Sequence, residues 1–158
     1  MKLLYNCLIL SRFDYGLLLW GKSAKCNVDK IQKLQNRYAR LILNADFLTS
    51  SNTLLSRLKW QSISERVQYQ FRIWMYKTIN NKMPNYIQNL LCYRTININT
   101  RHATSCPFYI DKHRTEYFKR SFHYQGSTIW NNLPLDSRNT TSLESFKKHC
   151  KLISLSNP

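Results

Sequence analysis

Apolar side chains recur along this chain at helical spacing, and that periodicity limits its fold more than any single motif does. Between residues 28 and 45, Val28, Ile31, Leu34, Tyr38, Leu41, Ile42 and Ala45 gather on one side at roughly 100° per residue. A strand alternates every two residues and cannot put them on one face. Asn27 is the expected N-cap and Asp29 is expected in the first turn, where the helix dipole favours negative charge. On the opposite side Lys30, Lys33, Arg37 and Arg40 share an arc of about 80° with no acid among them. They repel one another unless water, salt or a phosphate backbone screens them. Two readings fit: a solvated face, or a stripe that tracks phosphates.

The same periodicity marks further elements. Residues 2–20 read as one buried helix or two short ones, cut at Gly16 and Gly21. A short helix is expected around residues 53–58, and a longer one begins at Ser62, which forms a capping box with Glu65. Ile63, Val67, Phe71, Trp74, Met75 and Ile79 line this helix, with Tyr69, Ile73 and Tyr76 on its other side, so it is expected to pack on more than one face. It should stop near residues 80–82, because Pro84 disfavours helical geometry before it and suits the first turn of a helix over residues 85–92.

From Tyr93 the character changes to a β-branched, Asn-rich run and then a basic stretch containing histidines. Residues 108–110 and 116–122 fit the strands of a small hairpin, although the second also fits a helix. Residues 126–132 read as a short helix stopped by Pro134. In a last helix over residues 142–153, Thr141 and Glu144 form a second capping box. There Leu143, Phe146, Cys150 and Ile153 face the core, while Lys147, Lys148 and Lys151 face away. The expected fold is mainly α: a multi-helix, bundle-like helical part over residues 1–92, and a basic C-terminal part over residues 93–158 with a short hairpin or loops and two short helices.

With 24 Lys and Arg against 8 Asp and Glu, the net charge of +16 exceeds what solubility needs and points to a polyanionic partner, nucleic acid first. The 7 Phe, 10 Tyr and 4 Trp add rings on which bases can stack, though core packing claims most such rings. Trp130 and Phe122 are assigned to the core on that ground. Five scattered cysteines lack the pairing of a disulfide framework and fit a reducing, intracellular compartment, nucleus or cytoplasm. The apolar start is interrupted by Asn6, Ser11, Arg12 and Asp14, unlike a signal peptide, and no run approaches membrane-spanning length. The Asn139-Thr140-Thr141 sequon is therefore read as chance, and no membrane partner is expected.

Catalytic chemistry finds no foothold. Two-metal enzymes need clustered carboxylates, whereas Asp14, Asp29, Asp46, Glu65, Asp111, Glu116, Asp136 and Glu144 are dispersed singly. Pro134, Asp136, Glu144 and Lys147 come near a restriction-type nuclease pattern but miss its spacing. Cys92, His102, Cys106 and His113 are acceptable zinc ligands without the spacing of a zinc knuckle. Two SxxK matches, at Ser56–Lys59 and Ser145–Lys148, show how little that pattern means, and three glycines make no phosphate loop. No catalytic residue, metal site, cofactor or small-molecule substrate is expected.

Several short motifs occur in a telling order. They begin with Ser11-Arg12-Phe13-Asp14-Tyr15-Gly16 and Trp20-Gly21, then Leu34-Gln35-Asn36-Arg37 with Ala39-Arg40. Tyr76-Lys77, Met83-Pro84 with Tyr86, and Asn99-Thr100-Arg101 follow. The most distinctive block is Lys119-Arg120-Ser121-Phe122, Gly126 and Ile129-Trp130-Asn131-Asn132-Leu133-Pro134, closed by Thr141 through Phe146-Lys147. In that order and spacing they resemble the region after the thumb in the reverse transcriptases of jockey-like and related LINE (non-LTR) retrotransposons.

The resemblance implies a parent that copies its RNA into DNA at a nicked target. The family's palm, with its Ala-Asp-Asp-type motif, and its endonuclease would lie upstream of Met1, so polymerase activity is carried over to no residue here. Composition and resemblance converge on a helical module that binds RNA or DNA backbone. Lys30, Lys33, Arg37 and Arg40 form one basic surface, and Arg101, Lys119 and Arg120 a second. Two alternatives stand beside it. One is a module whose apolar face over residues 62–80 docks the upstream polymerase domains, and the other is a decayed transposon remnant.

Overall fold

A computed structural model describes residues 1–94, 107–110 and 112–156, with side chains described to Ile153. The fold is mainly α, and the one β feature among the described residues is an antiparallel bridge between Tyr93 and Phe108. The chain divides into two compact units, Met1–Val67 and Gln68–Pro158, and the dividing point falls inside a continuous helix.

In the first unit, α1 (Lys2–Leu4) runs through a π-helical stretch, Tyr5–Leu10, into α2 (Ser11–Asp14). Gly16, at φ 63°, breaks the path before α3 (Leu17–Trp20). This left-handed conformation is open to glycine and costly for residues with a Cβ. The Trp20 indole N–H donates to the Tyr15 carbonyl across the break, 3.0 Å away. Burial is limited to Tyr5 and Leu17, while Leu3, Leu4 and Leu8 are exposed, so of the two expectations the single buried helix gives way to two helical pieces, the second bounded by Gly16 and Gly21. Tyr5 stacks on Trp60, with ring centroids 4.1 Å apart.

Helix α4 (Lys25–Leu43) starts earlier than its sequence suggested. Ala24 takes an extended conformation and its carbonyl accepts from Asn27 and Val28. Asn27 therefore lies inside the helix instead of capping it, and Asp29 falls beyond the first turn. The helix ends where Asn44 turns left-handed, φ 48°. Its buried face also differs from the apolar count. Gln35 and Ala39 are buried, whereas Leu34 and Leu41 are 45% and 66% exposed. The reason is a polar clasp: Gln35 donates to the Gln61 carbonyl at 3.0 Å, and Gln32 accepts from the Ile63 N–H at 2.8 Å. Those bonds rotate the helix so that its glutamines face inward.

Helix α5 (Ser51–Leu58) packs Leu54 and Leu58 on Ala39, with Ile42, Leu43 and Trp60 around them. Helix α6 (Ile63–Ile79) opens with the expected capping box. Glu65 accepts from the Ser62 N–H at 2.8 Å, and the Ser62 hydroxyl accepts from the Glu65 N–H at 3.3 Å. Arg66 makes a two-pronged bond to Asp14.

The second unit is built on the rest of α6, whose Phe71, Ile73, Met75 and Tyr76 are buried together with Arg72. It packs on more than one face, as expected. After Asn81, at φ 55°, come Pro84 and α7 (Asn85–Gln88), which stops short of residue 92 because the chain turns to pair Tyr93 with Phe108. Residues 116–122 form no strand. Thr115 caps α8 (Glu116–Arg120), and Ser121 caps α9 (Phe122–Asn131) by accepting from Tyr124. Two consecutive hydroxyl caps favour helix over hairpin here.

Helix α10 (Leu135–Arg138) follows Pro134, and α11 (Leu143–Ser156) closes the chain. The Ser142 hydroxyl, not that of Thr141, accepts from the Glu144 N–H, so the expected capping box is not the one formed. Leu143, Phe146, Cys150 and Ile153 do face the core, which also holds Met75, Tyr76, Leu91, Phe108, Trp130 and Leu133.

Candidate nucleic-acid interface

Lys30, Lys33 and Arg37 are exposed on α4, opposite the buried Gln35 and Ala39. They are spaced i, i+3 and i, i+7, so they line one face over about 10 Å of helix axis. Among the described residues none of the three has an ion-pair partner. Such a row offers charge without acid–base chemistry, and its complement is a row of phosphates.

Arg40 shares the arc but not the environment. It is half-buried, one guanidinium nitrogen donates to the Thr49 carbonyl at 3.4 Å, and the guanidinium lies 5.5 Å from the Phe47 ring centroid. Its Nε is buried without a partner among the described residues. The fourth cation of the expected stripe is thus held by the loop after the helix.

Lys119 and Arg120 end α8 in the second unit, and Arg101 lies outside the described residues. Lys119 is ion-paired with Glu116. Their hydrogen bond and mutual attraction hold the Glu116 carboxyl below its usual range and raise the Lys119 ammonium. Arg120 is exposed and lies over the Tyr117 ring, 5.9 Å from its centroid. Tyr117 is itself 83% exposed, a placement with no mark of its own in the linear sequence. Its signal was the i, i+3 spacing to Arg120 on a helix, which became readable only once residues 116–120 were known to be helical.

Trp130 and Phe122 pack in the core, as expected. Trp130 is buried beside Phe146, and Phe122 stacks on Phe71 with centroids 6.0 Å apart. Of the four weighed zinc ligands, His113 stands edge-on to Tyr124, Cys92 is exposed, and His102 and Cys106 lie outside the described residues. No group of three or more metal-ligating side chains assembles among the described residues. There too, no helix is long and apolar enough to cross a membrane.

Many residues of the ordered motifs have structural tasks. Asp14 binds Arg66, Gly16 makes the left-handed break, and Gly21 lies against Val67. Gly126 admits Met75, and the Asn131 amide bonds both the N–H and the carbonyl of Phe108, at 3.3 and 2.9 Å.

A basic, mainly helical chain of this kind matches no family model and no solved structure. Two curated proteins of Drosophila melanogaster are similar to part of it. The probable RNA-directed DNA polymerase from transposon BS is 36% identical over 53 residues, 34% of this chain and 6% of that protein. The corresponding protein from transposon X-element is 27% identical over 64 residues, 40% of this chain and 7% of that protein. The similarity thus spans less than a tenth of either relative's length and relates a region of this chain to transposon RNA-directed DNA polymerases.

Proposed function

We propose that this chain is a nucleic-acid-binding, C-terminal portion of a retrotransposon RNA-directed DNA polymerase, which holds template RNA or target DNA by its phosphate backbone and does not itself polymerise. On this reading residues 1–92 continue from the polymerase thumb, and residues 93–158 form a basic C-terminal part. The observation that carries it is the exposed, unpaired row Lys30, Lys33 and Arg37 on one helix face. Neutralising phosphates releases condensed counterions, which makes binding favourable and salt-dependent without reading sequence. Lys119, Arg120 and Arg101 contribute a second basic surface.

The test is binding of labelled single-stranded RNA and duplex DNA over a salt series, beside the variant Lys30→Gln/Lys33→Gln/Arg37→Gln. Wild-type log affinity should fall linearly with log salt, and the variant's slope on duplex should be shallower by about 2.7 units if each cation meets one phosphate. Equal slopes would reject the row as the binding element. A second reading, a docking module for other polymerase domains, is favoured by the exposed Leu3, Leu4 and Leu8. On α6, by contrast, Ile63, Val67, Phe71, Met75 and Tyr76 are already buried, and Trp74 and Ile79 partly so. Absence of nucleic-acid binding together with self-association would favour that reading.

A further inference from the structure

We infer that Tyr117, with Arg120 beside it, is a stacking platform for an unpaired base of single-stranded nucleic acid; this rests on the nucleic-acid reading above and gives it a second, chemically different contact. The Tyr117 ring, 83% exposed, contributes little to packing its own fold. The helix carrying it is nevertheless fixed from several directions. The Thr115 hydroxyl accepts from the Phe118 N–H at 3.3 Å, and Gln125 donates to the Lys119 carbonyl at 2.6 Å. Phe118 turns inward, edge-on to His123 and Tyr124, and the His123 ring is bonded to the Leu90 carbonyl at 2.5 Å. Tyr117 is therefore presented outward on an anchored helix, which lowers the ordering cost of a stack.

The surrounding charge selects the partner. Lys112, Arg114, Lys119 and Arg120 stand against Glu116 between residues 112 and 120, and Glu116 is already engaged by Lys119. An aromatic ring among net positive charge suits a base with its phosphate, since each base has a face to stack and each nucleotide a charge to neutralise. Arg120 lies at cation–π distance from the ring and is placed to reach the phosphate of a stacked nucleotide. Duplex DNA does not fit, because its base faces are already covered by their neighbours.

The experiment compares oligothymidylate, an abasic strand of equal length and charge, and duplex DNA, using the full chain and the variants Tyr117→Ala, Tyr117→Phe and Arg120→Gln. Tyr117→Ala should weaken oligothymidylate binding by roughly tenfold, with its salt slope unchanged. The abasic strand and the duplex should bind this variant as they bind wild type, and Tyr117→Phe should keep wild-type affinity. Arg120→Gln should lower the single-strand slope by about 0.7. Thermal melting checks that the exposed substitutions leave the fold intact. Equal loss on the abasic strand, or no loss on oligothymidylate, overturns the stacking platform while leaving the phosphate-binding row in place. If wild type binds neither strand nor duplex, both readings fall.

Discussion

Arg40 separates what the sequence expects from what the structure expects. By helical spacing it is the fourth member of the basic stripe, so neutralising it should cost as much salt dependence as neutralising Lys30, Lys33 or Arg37. The structure instead places its guanidinium on the Thr49 carbonyl and over Phe47, half-buried. Each of Lys30→Gln, Lys33→Gln and Arg37→Gln should reduce the duplex salt slope by about 0.9, one counterion-releasing contact apiece. Arg40→Gln should leave the slope close to wild type.

The cost of Arg40→Gln should appear in stability. A hydrogen bond as long as 3.4 Å contributes little, and a cation–π contact to a ring as exposed as that of Phe47 contributes about 0.5–1 kcal/mol, so the loss should be about 1 kcal/mol. The three exposed substitutions should stay within about 0.5 kcal/mol of wild type. Urea unfolding and a filter-binding salt series on the same four variants give both numbers. A slope reduction for Arg40→Gln equal to the others, with unchanged stability, would refute the assignment and restore the four-cation stripe.

Three further outcomes test the framework behind the site. A Cβ at Gly21 would lie 2.4 Å from both the Leu17 carbonyl oxygen and a Val67 methyl, so Gly21→Ala should destabilise by about 3 kcal/mol in urea unfolding. Adding Val67→Ala should relieve only the methyl contact, and full recovery in the double variant would contradict the close approach of the Leu17 backbone. Burial pushes the Cys150 thiol from its ordinary 9.0 up to about 11, so the folded state favours the neutral thiol. That contribution is complete below pH 9 and is lost as pH rises through about 11. Cys150→Ala should therefore show a shallower loss of stability between these values than wild type, and parallel curves would show that Cys150 does not titrate against folding. At neutral pH alkylation should reach the exposed Cys7, Cys26 and Cys92 well before Cys150.

Local chemistry made much of the molecule legible in its sequence. Helical periodicity, the Ser62–Glu65 capping box and the core face of α11 depend on residues within a few positions of one another, and the structure contains all three. The exposed placement of Lys30, Lys33 and Arg37 follows similarly, because a helix with one buried face must turn the other to solvent.

Only tertiary contacts decided the rest. The inward turn of Gln32 and Gln35 depends on the Gln61 carbonyl and the Ile63 N–H, a separation no helical wheel represents, and it exposes Leu34 and Leu41 in their place. Withdrawal of Arg40 depends on the loop holding Phe47 and Thr49. The hairpin-or-helix ambiguity of residues 116–122 was resolved by two successive caps and by the anchoring of Phe118, and with it came the outward Tyr117. The division at Val67 falls within an unbroken helix and has no marker in the sequence. Sequence alone fixes which residues share a helix face; which face is buried, and which charges remain free for a ligand, depends on partners distant in the chain.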